Sequence, residues 1–278
     1  MNKRVKNVLI AAVVLFAGIV VITKVYIGGS NKNSSDNDLP SYVNNVEVND
    51  KFFNSMSEKE LVDYKIINSI EFFKTATGKY VYKDKTLNYT ETVKYCADIK
   101  NRQSYASIIS DDKNEEIIFK NNVKKEFDNV KKEYSEYQQN DKPDENNIKK
   151  LKPKDRYLKN GEFIFRNDGN FLYENNKTLF NQEIQSYLKN YDIWKIDETK
   201  DYLNRKAVFI SGNLGFTGKS GENKFKIVVD KNTGIVLKLD FLGKNNEIIT
   251  SMETIEINVD TNINSAMFEK NIQGYKKS

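Results

Sequence analysis

The chain has no histidine among its 278 residues, one cysteine (Cys96), one tryptophan (Trp194) and three prolines. Without histidine there is no Ser-His-Asp triad, no Cys-His dyad, no imidazole-held zinc or iron and no histidine pH switch. One cysteine excludes an internal disulfide, a thiolate zinc site and an iron–sulfur cluster. Arginine is also scarce: Arg4, Arg102, Arg156, Arg166 and Arg205 are the whole set. Residues 1–35 hold five of the 44 Lys and Arg and no acid, so the remainder carries 39 basic against 39 acidic residues. The net charge of +5 is therefore an N-terminal property. A neutral, Arg-poor body lacks the basic face that phosphate neutralisation needs, which argues against nucleic-acid binding.

What is present begins with Val8–Ile22, an uninterrupted apolar run behind Lys3, Arg4 and Lys6. Counted on to Ile27, with Lys24 reaching the headgroups, it is long enough to span a bilayer. The positive residues before it place the N-terminus in the cytoplasm and everything after residue 30 outside. The expectation is a cytoplasmic stub and transmembrane anchor over 1–29, with a cleaved signal peptide as the competing reading. Residues 30–50 are Asn-, Ser- and Asp-rich and read as a flexible tether, leaving 51–278 as the extracytoplasmic domain. Cys96 reads as a small strand residue.

Ser57-x-x-Glu60 is a capping box, and the apolar stripe Leu61, Tyr64, Ile67, Ile70, Phe73 predicts a helix over 57–75 ended by Thr77-Gly78. Alternation then predicts strands around Val93–Ile99, Tyr105–Ile109 and Ile117–Phe119. In 120–137 the spacing of Val123, Phe127, Val130 and Tyr134 favours a helix. The basic run Lys149, Lys150, Lys152, Lys154 reads as a solvated loop or, functionally, as a contact for anionic headgroups. Phe163–Tyr173 reads as a strand–turn–strand unit across Asn167-Asp168-Gly169-Asn170, and 181–191 as helical. Ala207–Ser211, Lys224–Asp230, Ile235–Leu242 and Glu247–Val259 read as four strands, and 263–268 as a short helical turn with Met267 and Phe268 packing back. Strand runs with few helices predict an α+β fold.

Three motifs fail on inspection. Gly215–Gly221 has Asn213 where a phosphate loop needs glycine, and a strand follows it, not a helix. Ser110-x-x-Lys113 lacks the companion elements of a penicillin-binding site. Asp197, Glu198 and Asp201 cluster, but nothing couples them as acid and base. No catalytic residue, cofactor site or metal site is expected, and the chain does not read as an enzyme.

Residues 187–268 carry a likeness. They run Tyr187-Leu188-Lys189-Asn190, then Asp201-Tyr202-Leu203-Asn204-Arg205, then Val228-Val229-Asp230-Lys231-Asn232-Thr233-Gly234, and close on Met267-Phe268. This resembles the LolA-like lipoprotein-carrier and RseB/MucB-type regulator superfamily, with its Y-L-G-R step and V-D-x-x-T-G strand end; here Asn204 stands at the glycine. The resemblance implies an antiparallel half-barrel with helices over its concave face, preceded here by the transmembrane helix. It also implies a non-enzymatic role: holding or sensing a lipid, lipoprotein or apolar ligand in the hollow. The alternative it implies is an envelope-stress or sigma-factor regulatory module acting through a membrane partner protein. Strand residues expected to line the hollow are Val93, Tyr95, Phe225, Ile227, Val229, Leu237, Leu239 and Phe241; the competing reading makes them ordinary core.

Overall fold

The computed structural model describes residues 49–139 and 147–278. The expected membrane segment and nearly all of the expected tether lie outside the described residues. Within them, no helix is long and apolar enough to cross a membrane.

The chain enters through α1 (Asp50–Asn54), where the Asn49 side chain accepts a hydrogen bond from the Phe52 amide at 3.1 Å. α2 (Glu58–Ile67) follows, started by the Ser57/Glu60 capping box. The helix is shorter than the apolar stripe suggested. It stops at Asn68, a buried polar residue, and a 3₁₀ turn covers Ser69–Glu71. Thr77-Gly78, expected to end the helix, instead lies inside a strand. A Cβ at Gly78 would collide with the Tyr95 ring, so the glycine lets that ring lie flat over the neighbouring strand.

Two antiparallel meanders follow. The first is β1 (Thr75–Asp84), β2 (Tyr89–Asp98), β3 (Gln103–Ile109), β4 (Asn114–Lys120), β5 (Val123–Asp128) and β6 (Glu133–Gln138). The second is β7 (Trp194–Tyr202), β8 (Arg205–Asn213), β9 (Lys224–Asp230), β10 (Val236–Leu242) and β11 (Ile248–Val259). They join through the β1–β11 pair, and β12 (Lys276–Lys277) adds to β6 in parallel. The result is one open sheet ordered β12-β6-β5-β4-β3-β2-β1-β11-β10-β9-β8-β7. The fold is α+β, with a large, mostly antiparallel open sheet and few helices.

The segment expected to be a helix, 120–137, is the β5–β6 hairpin. The misleading spacing has a cause: Phe127 and Tyr134 are cross-strand partners whose rings stack at 5.7 Å, so a hairpin mimics a helical stripe. The expected hairpin at Phe163–Tyr173 is also absent. Phe163 makes a single bridge to Tyr157, and Asn170–Asn175 is a 3₁₀ segment.

Because β6 and β7 lie near opposite edges, the connection between them must cross ten strand spacings, about 50 Å of sheet width. It does so over one face, which we call the inner face, and its described part, residues 147–193, forms a roof. The roof's α-helices, α3 (Asn176–Leu179) and α4 (Gln185–Leu188), have four residues each. Between roof, α2 and sheet lies the main core cluster, which includes Ile66, Tyr80, Val93, Phe119, Phe171, Leu179, Ile210 and Ile227. On the outer face of β3 and β4, the C-terminal segment packs back through buried Phe268, while Met267 stays exposed.

Candidate ligand-binding face

Strand alternation puts Val93, Tyr95, Phe225, Ile227, Val229, Leu239 and Phe241 on the inner face, and Leu237 at the register shift of β10. All but Phe241 are buried; Phe241 is half-buried and meets Tyr187 of α4 edge-on at 5.1 Å. Tyr187 also faces Phe225 at 6.1 Å, and Tyr80 lies beside Tyr95 at 6.2 Å. One continuous aromatic and aliphatic face therefore joins the two meanders, and the roof lies against it.

The roof is held by buried apolar side chains, among them Phe171, Leu179, Phe180 and Leu188, and by a seam of polar contacts. Arg156 and Arg166, both fully buried, donate to the Asn68 side-chain oxygen, Arg166 at 2.9 Å. Arg166 also pairs with Glu71 at 2.7 Å and with Asp168, 3.0 Å from its Nε. Asp63 of α2, also fully buried, accepts from Gln185 Nε2 and from the Tyr191 hydroxyl at 2.8 Å. Burial pushes the Asp63 carboxyl up to about 7, against the pull of those two donors and of Arg156. Further along, Ser69 and Ser104 donate to the roof carbonyls of Leu179 and Phe171, and Tyr80 donates to Glu174 at 3.3 Å.

None of these seam residues was singled out from the sequence. The available signal was the arginine count: in a Lys-rich chain, Arg156 and Arg166 are two of only five arginines and lie close together, and arginine is the cation suited to buried, multiply bonded positions. The basic run 149–154 belongs to the same seam. Lys149 pairs with Glu71 at 3.0 Å, Lys154 approaches Glu60 at 3.5 Å and Lys152 donates to the Ser55 carbonyl at 2.8 Å. These lysines reach the end of α1, α2 and the 3₁₀ turn after it from a solvent-exposed surface.

The residues that carried the family likeness are structural. Leu203 and Asn204 both have positive φ, 51° and 59°, in the two-residue turn of the β7–β8 hairpin. Asn204 can stand at the glycine position because asparagine tolerates that conformation. Arg205 pairs with buried Asp230, whose other oxygen accepts from the Asn232 and Thr233 amides at 2.9 and 2.8 Å. Gly234 (φ +77°) then packs its backbone on the end of α2, where a Cβ would strike the Lys65 carbonyl. The motif thus docks α2 onto the sheet.

Cys96 is fully buried and its thiol is pushed up to about 12, by burial first and Asp98 second. Among the described residues, no group of acidic side chains and cysteine is placed to hold a metal ion.

No family model matches the chain and no curated protein does. Solved structures do. An uncharacterized conserved protein from Thermus thermophilus is 6% identical at a TM-score of 0.45, covering 80% of this chain and 99% of that one. MucB in its complex with MucA from Pseudomonas aeruginosa is 10% identical at a TM-score of 0.44, covering 77% of this chain and 62% of that one. The lipoprotein LppX of Mycobacterium tuberculosis is 9% identical at 0.37, covering 75% of this chain and 99% of that one. The chain thus spans under two thirds of the MucB chain it is similar to. These are likenesses of fold, and they assign no residue of this chain a role.

Proposed function

We propose that the chain is a non-enzymatic binding protein, held outside the cell by its N-terminal apolar run, that takes an apolar ligand between the inner face and the roof. The ligand class is an acyl chain of a lipid or lipoprotein, or an apolar peptide, and the hollow would be lined by Val93, Tyr95, Phe225, Ile227, Val229, Leu237, Leu239 and Phe241. One observation carries the reading: an apolar face shared by both meanders is covered by a segment whose α-helices have only four residues each, fastened in part by buried polar side chains. Such a cover can shift without unfolding a long helix, the opposing cost being exposure of its buried side chains such as Phe171, Leu179 and Leu188.

The test is lipid analysis of the full chain purified in nanodiscs of a single synthetic phospholipid. A second lipid or acylated peptide near one-to-one stoichiometry supports the reading. Recovery of the nanodisc lipid alone, with Leu239→Arg and wild type indistinguishable, sinks it.

A second reading, a regulatory module acting through a membrane partner protein, draws on β7. Among the described residues that edge strand pairs only with β8, so its other side offers main-chain groups to a partner strand. Capture of one membrane protein by wild type, lost when a proline at Thr199 blocks strand addition, would favour it.

A further inference from the structure

At one end of the second meander a cleft of about 400 Å³ opens where β7 begins, β8 ends and β9 begins. Its lining includes Asp192, Lys195, Lys224, Lys226 and Leu242, with Trp194 and Phe225 bordering it; on β9, Lys224 and Lys226 point away from the inner face that holds the Phe225 ring. Lys195 is matched by Asp197 at 3.0 Å. Lys224 donates only to a neutral group, the Asn246 side chain, at 2.8 Å, and among the described residues neither Lys224 nor Lys226 forms an ion pair. Lys226 has Asp240 as its cross-strand neighbour, and Asp192 is the one lining carboxylate, so Lys224 is the cation most open to an anion.

Two further features point the same way. The β8–β9 loop leaves the cleft at Asn213 and holds Phe216, at 55% the most exposed aromatic side chain among the described residues, with exposed Lys219 three positions on. Lys244, in the β10–β11 turn beside Asn246, is exposed as well. An exposed ring flanked by lysines is the composition of a surface that meets a bilayer interface. The entering chain also reaches this end: Lys59, in the first turn of α2, lies 4.9 Å over the Trp194 ring and donates to the Trp194 carbonyl at 2.6 Å. The tether expected over residues 30–50 would reach about 25 Å, so an anchored domain would stay close to the bilayer.

We propose that this end of the sheet docks on an anionic lipid surface, with headgroup phosphates meeting Lys224 and Lys226 in the cleft and Phe216 entering the interface. The proposal rests on the anchor reading above but not on a ligand beneath the roof. Docking would set the roof's margin at α4 and Tyr191 beside the membrane, where an acyl chain could pass between them.

The experiment uses the full chain in a Cys96→Ala background with an environment-sensitive fluorophore at Phe216→Cys. It is reconstituted in phosphatidylcholine vesicles and in vesicles with about a third phosphatidylglycerol. The expected result is a several-fold rise and blue shift in emission with phosphatidylglycerol only. Raised salt should remove that response, free inorganic phosphate should not displace it beyond its ionic strength, and Lys224→Gln with Lys226→Gln should abolish it. A label at Asp201→Cys, at the far end of β7, should stay silent in both vesicles. Equal emission at position 216 in the two vesicles overturns the proposal, as does a response that survives both glutamines. Flotation separates the two claims: a chain that fails to float with phosphatidylcholine vesicles refutes the anchor, while the probe at 216 still reports docking on phosphatidylglycerol.

Discussion

In β9, Phe225, Ile227 and Val229 are buried on one face and Val228 on the other; in β6 no residue is buried, and in β5 only Phe127 is. The second meander is a wall of the core. The outer part of the first meander is a ribbon held by cross-strand charges, such as Lys125 with Glu136 at 3.3 Å, and by the ring cluster of Phe127, Tyr134 and Tyr275. The difference shows that one sheet can be stabilised by different means along its width. Apolar burial under the roof acts on one side, and a returning C-terminal segment with paired charges acts on the other.

The contrast can be broken at its strongest point first. Phe225→Ala should cost about 3–5 kcal/mol, because the ring sits against Tyr187 and Gly212 with no space to collapse. Arg166→Ala should cost a similar ~3–5 kcal/mol, since it removes a fully buried guanidinium and leaves the Asp168 carboxylate without its cation, while the Asn68 side-chain oxygen keeps only Arg156. Denaturant titration checks both, and a loss below about 1 kcal/mol in either would contradict the wall-and-seam description.

Asp63 gives a pH dependence with a definite sign. Its folded pKa of about 7 lies above the ordinary 3.8, so between those values the folded chain holds a proton that the unfolded chain has released. Its effect on stability therefore falls as pH rises from about 4 to about 7, by at most ~1.4 kcal/mol per pH unit. Asp63→Asn should flatten that slope, which stability curves at several pH values will show. Gly234→Ala should cost about 1–3 kcal/mol, from the positive φ and the lost approach to α2. Lys125→Gln, on the ribbon, should change stability by less than about 0.5 kcal/mol.

The same contrast explains what could be read in advance. β9, β10 and β11 were legible because the turns at Asp230–Gly234 and Gly243–Asn246 punctuate clean apolar alternation, and Ser57/Glu60 marked the start of α2. The β5–β6 ribbon was not, because its apolar residues are few and meet across a turn, so spacing alone favoured a helix. β7 was missed since an exposed edge reads Lys-Ile-Asp-Glu-Thr-Lys-Asp, with little to mark it as a strand. The roof was misread because long-range side-chain bonds fix its path, and local pattern does not encode them. The inner-face residues could be chosen from alternation, but what lies against them depends on the crossover's route over the sheet.

The central claim, that the roofed face takes an apolar ligand, is tested most directly with a diazirine-bearing fatty acid, photolysed with the full chain in nanodiscs and mapped by peptide sequencing. The account predicts adducts on inner-face residues of β9 and β10, at Phe225, Leu239 and Phe241, and on Tyr187 of α4, all competed by unlabelled fatty acid. Adducts confined to residues 8–27 and the outer face, with none competed, would contradict it.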